Sequence, residues 1–325
     1  MRRFDKPFQG MDVLLCGDLC QLPRVGATEI YKSGKKQVCM QTDMLWQHFR
    51  LPSTCAEVMR QKEVFFSTLL TKNGNGDSQD EEDVRMLQSR FVTTAVAKYL
   101  CPGGVRFFYS NNDADAHNSS LVTGDSSMVV SNADEIIISH KSQNQYDNAK
   151  VNLATMKLCD TGGVPARISI CVGKLYMLTA NVDVMDGLVN ACYIQHDKEG
   201  NKVERLRLDF SFETAGRLTR LKVAPVRAAF SGISADWAPI GRRAINVTPC
   251  KRTHFLLVQA SATMIHKSQG ATYGKVVYSY DKAHPLRLVY VVLSRATSLD
   301  GLFLTNKHND FRFFPHAWGR RPVTA

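Results

Sequence analysis

The chain has 325 residues, enough for two or more domains, and its 44% hydrophobic and 22% charged residues are those of a globular protein. No apolar run approaches the roughly 18 residues of a membrane-crossing helix, and the opening MRRFDKPFQG lacks the apolar core of a secretion signal. The net charge of +11 points to a polyanionic partner.

MDVLLCGD (11–18) is an apolar run ending in Gly-Asp, the pattern of a buried strand. TDMLWQHF (42–49) and KEVFFSTLLTK (62–72) carry apolar residues at helical spacing. Asp80 to Asp83 suit the positive end of a helix, and EDVRMLQSRFVTTAVAKYL (82–100) reads as one amphipathic helix stopped by Pro102. VRFFYS (105–110) and DEIIISH (134–140) read as strands, with a polar, helix-capable piece between them.

From about Pro165 the texture changes to short β-type runs, ARISICVGKLYMLTANVD, LVNACYIQHD and KVERLRLDFSF, with turn residues between them. Strand character returns in VVYSY (276–280) and LFLTN (302–306), around a helix PLRLVYVVLSRA that Pro285 begins. Alternation of strand and helix on both sides of a β-rich block predicts an α/β domain carrying a β insertion. The segment from Asn201 to Phe255 holds eleven Lys/Arg against four acids, a surplus of +7. Charge alone does not separate a solvated basic face from one that meets a polyanion. Nine cysteines without a CxxC pair read as reduced thiols inside a cell, and no metal site is expected.

Four stretches carry the residue types of phosphate and nucleic-acid chemistry. GDLCQLPRV (17–25) stands at the end of a predicted strand, where α/β domains place ligands. Arg60 and Gln61 precede a helix, and TMIHKSQGATYG (263–274) combines Lys267, Ser268 and Gln269 with two glycines. Arg295 ends the helix of LVYVVLSRATSLDGLFL (288–304). Taken singly, each is also explained as a turn, a helix cap or a polar loop.

In order and spacing, the four together resemble the motifs of superfamily-one DNA helicases of PIF type, above all the helicase module of Helitron transposons. GDLCQLPRV is similar to that family's third motif, MRQ to its fourth, HKSQGATY to its fifth and YVVLSRATSLDGL to its sixth, while LYMLTANVDVMDGLVNA (175–191) resembles its β-barrel insertion. The resemblance runs from about Met11 to about Phe314. It implies an α/β fold of RecA-like helicase domains, the first truncated, with a small β-barrel insertion in the second. The implied boundaries are 1–54 for the remnant of the first domain, 55–165 and 256–325 for the second, and 166–255 for the insertion.

By the same resemblance, Gln21 senses the γ-phosphate of ATP and Asp18 couples that signal to domain movement. Arg60 and Arg295 are arginine fingers, a role in which a planar, permanent charge contributes on the order of 1,000-fold or more in rate. Gln269, Gly270 and Gln61 line the nucleotide cleft. His266, Lys267, Ser268 and Thr263 lie toward single-stranded DNA or its junctions with duplex, where phosphate contacts fix position rather than sequence. ATP with Mg2+, movement in the 5′ to 3′ direction and a nuclear location are implied for the parent enzyme.

The sequence departs from the family in ways that bear on activity. A phosphate loop needs GxxxxGK[ST], but Glu29, Ile168 and Gln269 stand five residues before the glycines of the three Gly-Lys pairs, and no Ser or Thr follows any of them. The chain is thus expected to begin after the phosphate and magnesium motifs and to lack ATPase activity alone. Arg24 replaces the first proline of the usual GDxxQLPPV, Met264 stands where the fifth motif has threonine, and Ala191 replaces a glycine. These changes fit a truncated gene or a decaying transposon copy. The alternatives are a non-catalytic single-strand-binding module and a fragment without function.

Overall fold

The structure is a computed structural model. It describes residues 7–14, 16–18, 20–22, 58–138, 142–158, 160–179, 191–199, 202–210, 216–227, 238–247 and 250–315. The chain divides into two compact units, Met1–Asn111 with Thr263–Ala325, and Asn112–Ala262.

In the first unit, residues 11–14 and 16–18 have no regular structure, with Met11 67% and Leu14 87% exposed, so the strand expected at 11–18 is not formed. A strand exists through a neighbour's backbone, and none of the described residues pairs with this run. The helix expected at 42–49 lies outside the described residues. Helix α1 (Val64–Asn75) buries Phe66, Leu69 and Leu70 on one face and ends at Gly76, whose φ of +71° is a left-handed cap. Helix α2 (Glu81–Gln88) starts with a complete capping box: the Asp80 carboxylate accepts from the Asp83 amide, and Asp83 accepts in return from that of Asp80.

The single helix expected over 82–100 is two, because α3 (Thr94–Leu100) starts anew at the Thr93 cap. Between them the backbone of 90–92 is taken by the sheet. Val92 N–H donates to the Leu304 carbonyl and Leu304 N–H to that of Arg90, at 2.8 and 2.9 Å. Strand β1 (Val105–Phe108) follows.

The second unit opens with α4 (Asn111–Val122), β2 (Val129–Asn132), β3 (Asp134–Ile137) and α5 (Gln143–Thr155). Short strands then dominate: β4 (Arg167–Ile170), β5 (Leu175–Leu178), β6 (Ala191–Glu199) and β7 (Lys202–Phe210). Helix α6 (Arg217–Arg227) interrupts them, so four cations of the basic segment, Arg217, Arg220, Lys222 and Arg227, stand on a helix. β8 (Ala238–Gly241), β9 (Arg243–Val247), β10 (Cys250–His254) and β11 (Leu257–Gln259) complete the unit. The strands form sheets ordered β11-β5-β6-β7-β8, β3-β10-β9 and β2-β4, with antiparallel pairing throughout. Ile168, Ile170, Tyr176, Leu206, Phe255 and Leu257 lie in its core.

Two arginines of the basic segment are struts of this unit rather than surface charges. Arg252 is buried, with Nε on Glu135 at 2.8 Å and its Nη atoms on the Val164 and Leu153 carbonyls. Arg242 reaches Asp134 at 3.0 Å and lies over the Phe255 ring.

The chain returns to the first unit through β12 (Ala262–Met264), a 3-10 turn at Ile265–Ser268, β13 (Val276–Ser279), α7 (Leu286–Leu293) and β14 (Leu302–Thr305). The sheet order is β12-β1-β13-β14, with β1, β13 and β14 mutually parallel. All four residues of β14 are buried, as parallel strands covered on both faces require. Pro285 precedes α7, which packs on α1 and on the 3-10 turn.

Candidate functional site

The last carbonyls of an α-helix have no partner within the helix and attract donors, cations above all. At the C-terminus of α7 these donors come from distant segments. Arg60 donates from Nη1 to the Ser294 carbonyl at 3.0 Å and from Nε to Thr272 Oγ1 at 2.9 Å. Gln61, buried, donates to the Ser294 and Ala296 carbonyls at 3.1 and 2.8 Å.

Arg295 is fully buried at the same helix end. Nε donates to the Val291 carbonyl at 3.0 Å, Nη1 to that of Ala271 at 3.2 Å, and Nη2 to Ser294 Oγ at 2.9 Å. Burial and then the neighbouring Arg60 charge bring its pKa down to about 10, opposed by Tyr290, Asp18 and Tyr273. The Arg295 guanidinium still carries its charge near neutrality, and a bound anion would relieve its repulsion with Arg60.

Asp18 and Gln21 share a tight turn. The Asp18 carboxylate accepts from the Cys20 amide at 2.8 Å and from Gln21 Nε2 at 3.1 Å. Tyr290, on α7, donates its hydroxyl to Asp18 Oδ2 at 3.0 Å. Its pKa is pushed well up, by burial first and then by the Asp18 charge. Gln269 Nε2 donates to the Leu22 carbonyl at 3.0 Å. The first stretch thus meets both the third and the fourth directly.

The third stretch has a local logic of its own. Gln269 at φ −57°, ψ 134°, Gly270 at φ +82° and the Ala271 N–H to Ser268 carbonyl bond of 3.0 Å make a type II turn, which needs glycine at its third position. Ser268 is buried and donates its hydroxyl to the Ile265 carbonyl at 2.7 Å, so that group serves the turn and is not offered to a phosphate. Lys267 is exposed, Thr263 is half-buried on β12, and His266 keeps its Nδ1 buried with no hydrogen-bond partner among the described residues.

The structure therefore brings Asp18, Gln21, Arg60, Gln61, Gln269, Gly270 and Arg295 to one region of the first unit and leaves Lys267 outward. It adds residues the motif reading did not assign: Tyr290, which holds Asp18, and Thr272, which holds Arg60. Tyr273 joins them by pairing its backbone with that of Arg295 and Thr297. Tyr290 stands inside the sixth-motif resemblance, but nothing in the spacing links it to position 18. The donors are guanidinium and amide groups, which suit the oxygens of an ATP polyphosphate. Among the described residues no group of three His, Cys, Asp or Glu could hold a metal ion.

No protein-family model matches the chain. Over 309 residues it is 26% identical to the ATP-dependent DNA helicase PIF1 of Danio rerio, covering 93% of this chain and 42% of that protein. The Xenopus laevis protein of the same name is 26% identical over 305 residues, with the same coverage, 93% and 42%. The chain thus spans about 42% of the length of these relatives. In structure it is similar to the Pif1 helicase from Candida albicans, at a TM-score of 0.64 and 21% identity over 96% of this chain and 67% of that one. A Pif1 helicase from Bacteroides in complex with ADP-AlF3 and ssDNA gives a TM-score of 0.59 at 17% identity, over 92% and 63%. The fold is RecA-like α/β, and the chain is homologous, at modest identity, to PIF1-type superfamily-one DNA helicases.

Proposed function

We propose that these residues are the part of a PIF1-type, ATP-dependent DNA helicase of Helitron kind that answers to nucleotide and grips single-stranded DNA. The observation that carries this reading is the convergence of Arg60, Gln61 and Arg295 on one helix end beside Asp18, Gln21 and Gln269. Arg60 and Arg295 stabilise the charge of the transferring γ-phosphoryl group. Gln21 meets the γ-phosphate, Asp18 passes its displacement to α7 through Tyr290, and Gln61 and the Gln269-Gly270 turn shape the cleft. Lys267 contacts the DNA backbone with His266 and Thr263. The parent enzyme uses ATP with Mg2+, moves 5′ to 3′ on single-stranded DNA, and works in the nucleus. Residues 166–255 serve as its β insertion.

With no GxxxxGK[ST] in the 325 residues, the chain alone binds a single strand without turning over ATP. Purified protein is assayed for ATP hydrolysis with and without oligo-dT, and for oligo-dT binding by fluorescence anisotropy across a salt series. Binding built on phosphate contacts weakens with salt by about 0.7 in log K per log unit for each contact. DNA-stimulated turnover that Arg295→Ala abolishes overturns the ATPase expectation. Absence of binding at low salt overturns the single-strand reading. The hydrogen bonds that already occupy Arg295 favour a second reading, a non-catalytic single-strand-binding module. That reading holds if ATP leaves the exchange of the 16–22 amides unchanged at every concentration tried.

A further inference from the structure

Three rings rise from the core of the first unit to its surface at the C-terminal ends of β1 and β13, the edge at which parallel α/β sheets bind ligands. Tyr278, on β13, is fully buried, and its hydroxyl bonds to His284 Nδ1 at 2.7 Å. Its ring lies against that of His284, with centroids 5.7 Å apart and planes at 25°. His284 in turn stacks on Tyr109, the first residue after β1, at 5.0 Å and 12°.

The imidazole is fixed from two sides. The Asp281 backbone N–H, which can only donate, reaches His284 Nδ1 at 3.2 Å. Nδ1 is therefore an acceptor, the Tyr278 hydroxyl donates to it, and the ring proton sits on Nε2. Tyr109 thus rests on a ring that cannot turn, while 52% of its own surface is open. An aromatic face ordered before its ligand arrives loses little entropy on binding, and every nucleobase has a π face to lay on it.

The flanks carry two cations, Lys282 and Lys307, beside two acids, Asp281 and Asp310, the second of them paired with Arg312. Lys282 shares the loop of His284 and lies over the Phe314 ring at 5.7 Å. Lys307 is near enough to act electrostatically on His284. The acid on this loop, Asp281, turns its carboxylate to the Ala283 amide at 2.9 Å. Among the described residues Tyr109 has one ring partner, His284, and a ring held on one face favours a strand, which its neighbouring phosphates hold as well, over a free nucleotide.

We propose that Tyr109, braced by His284 and Tyr278, is a stacking platform for one unpaired base of a single strand whose adjoining phosphates lie toward Lys282 and Lys307. This rests on the single-strand reading above and assigns that strand a contact that none of the four motifs contains.

The test compares the chain with its Tyr109→Phe, Tyr109→Leu and Tyr109→Ala variants, by anisotropy with labelled oligo-dT across a salt series. Circular dichroism confirms that each is folded. Tyr109→Ala is expected to raise Kd about 5- to 150-fold, the range for loss of one aromatic stack. Tyr109→Leu is expected to weaken binding comparably and Tyr109→Phe to stay within about twofold, with one salt slope for all four because the stack carries no charge. A 2-aminopurine base in the strand is expected to be quenched by the chain and by Tyr109→Phe, and not by Tyr109→Leu. Tight binding by Tyr109→Leu overturns the platform and leaves the single-strand reading standing. Failure of the unaltered chain to bind overturns both. Adenosine monophosphate bound with the same dependence on Tyr109 overturns the assignment to a strand.

Discussion

The Tyr290 hydroxyl donates to Asp18 Oδ2 at 3.0 Å across 272 positions of sequence. The same residue closes on α1 from its other side: a Cβ added at Gly74 would stand 2.9 Å from Tyr290 Cε2. Tyr290 is thus wedged between α1 at Gly74 and the turn that holds Asp18 and Gln21.

Gly74→Ala tests the wedge. Alanine gains about 1 kcal/mol of helix propensity over glycine, but overpacking a fitted contact costs about 1–3 kcal/mol, and the Tyr290 ring is tethered at its hydroxyl by Asp18. Net destabilisation of about 1 kcal/mol is expected from urea unfolding. Tyr290→Phe leaves the ring and removes only the hydroxyl, so stability falls by at most about 1 kcal/mol. Hydrogen exchange at the Cys20 and Gln21 amides is expected to quicken.

Gly270→Ala forces a side chain into φ +82°, which costs an L-residue about 1–2 kcal/mol. A Cβ there would meet nothing within 4 Å, so the penalty is conformational rather than steric. Thermal unfolding is expected to register that loss, and Gly270→Asn, better tolerated in this region, to recover part of it.

His254 is fully buried between Ser131 Oγ, 2.9 Å from Nε2, and the Pro165 carbonyl, 2.9 Å from Nδ1. Nδ1–H donates to the carbonyl, which fixes the tautomer, and in the neutral ring Nε2 accepts from Ser131. Burial above all, with Arg242 and Arg252 nearby, lowers its pKa to about 4 against the opposing pull of Pro165 and Asp134. The unfolded chain binds this proton below about pH 6.5 and the folded chain only below about 4. Stability from this group is therefore complete above pH 6.5 and declines as pH falls toward 4, by at most about 3 kcal/mol. Urea unfolding at pH 7 and pH 5 is expected to show that slope, and His254→Gln to flatten it.

Arg252 and Lys251 are adjacent in sequence and opposite in character. Arg252→Gln leaves Glu135 without its partner and two buried carbonyls without donors, and is expected to cost about 3 kcal/mol. Its salt slope for oligo-dT stays unchanged. Lys251 is exposed. Lys251→Gln is expected to leave stability unaltered and, where the strand passes over β10, to reduce the salt slope by about 0.7. Equal effects of the two substitutions on stability contradict this division.

The sequence by itself determined what depends on residues a few positions apart. The Asp80–Asp83 capping box, Pro285 before α7 and the apolar runs of β1, β13 and β14 all belong to this class, since caps and periodicity involve only neighbours along the chain. So does the four-motif resemblance. Only the tertiary structure decided that Arg60 caps α7 from 234 positions away and that the 82–100 run breaks so that residues 90–92 can pair with β14. It also decided that Arg295, Ser268 and Arg252 are buried with their donors already engaged. Polar side chains look alike in sequence whether they face water or a carbonyl. Which they face is set by the long-range packing that removes the water, and no local spacing records it.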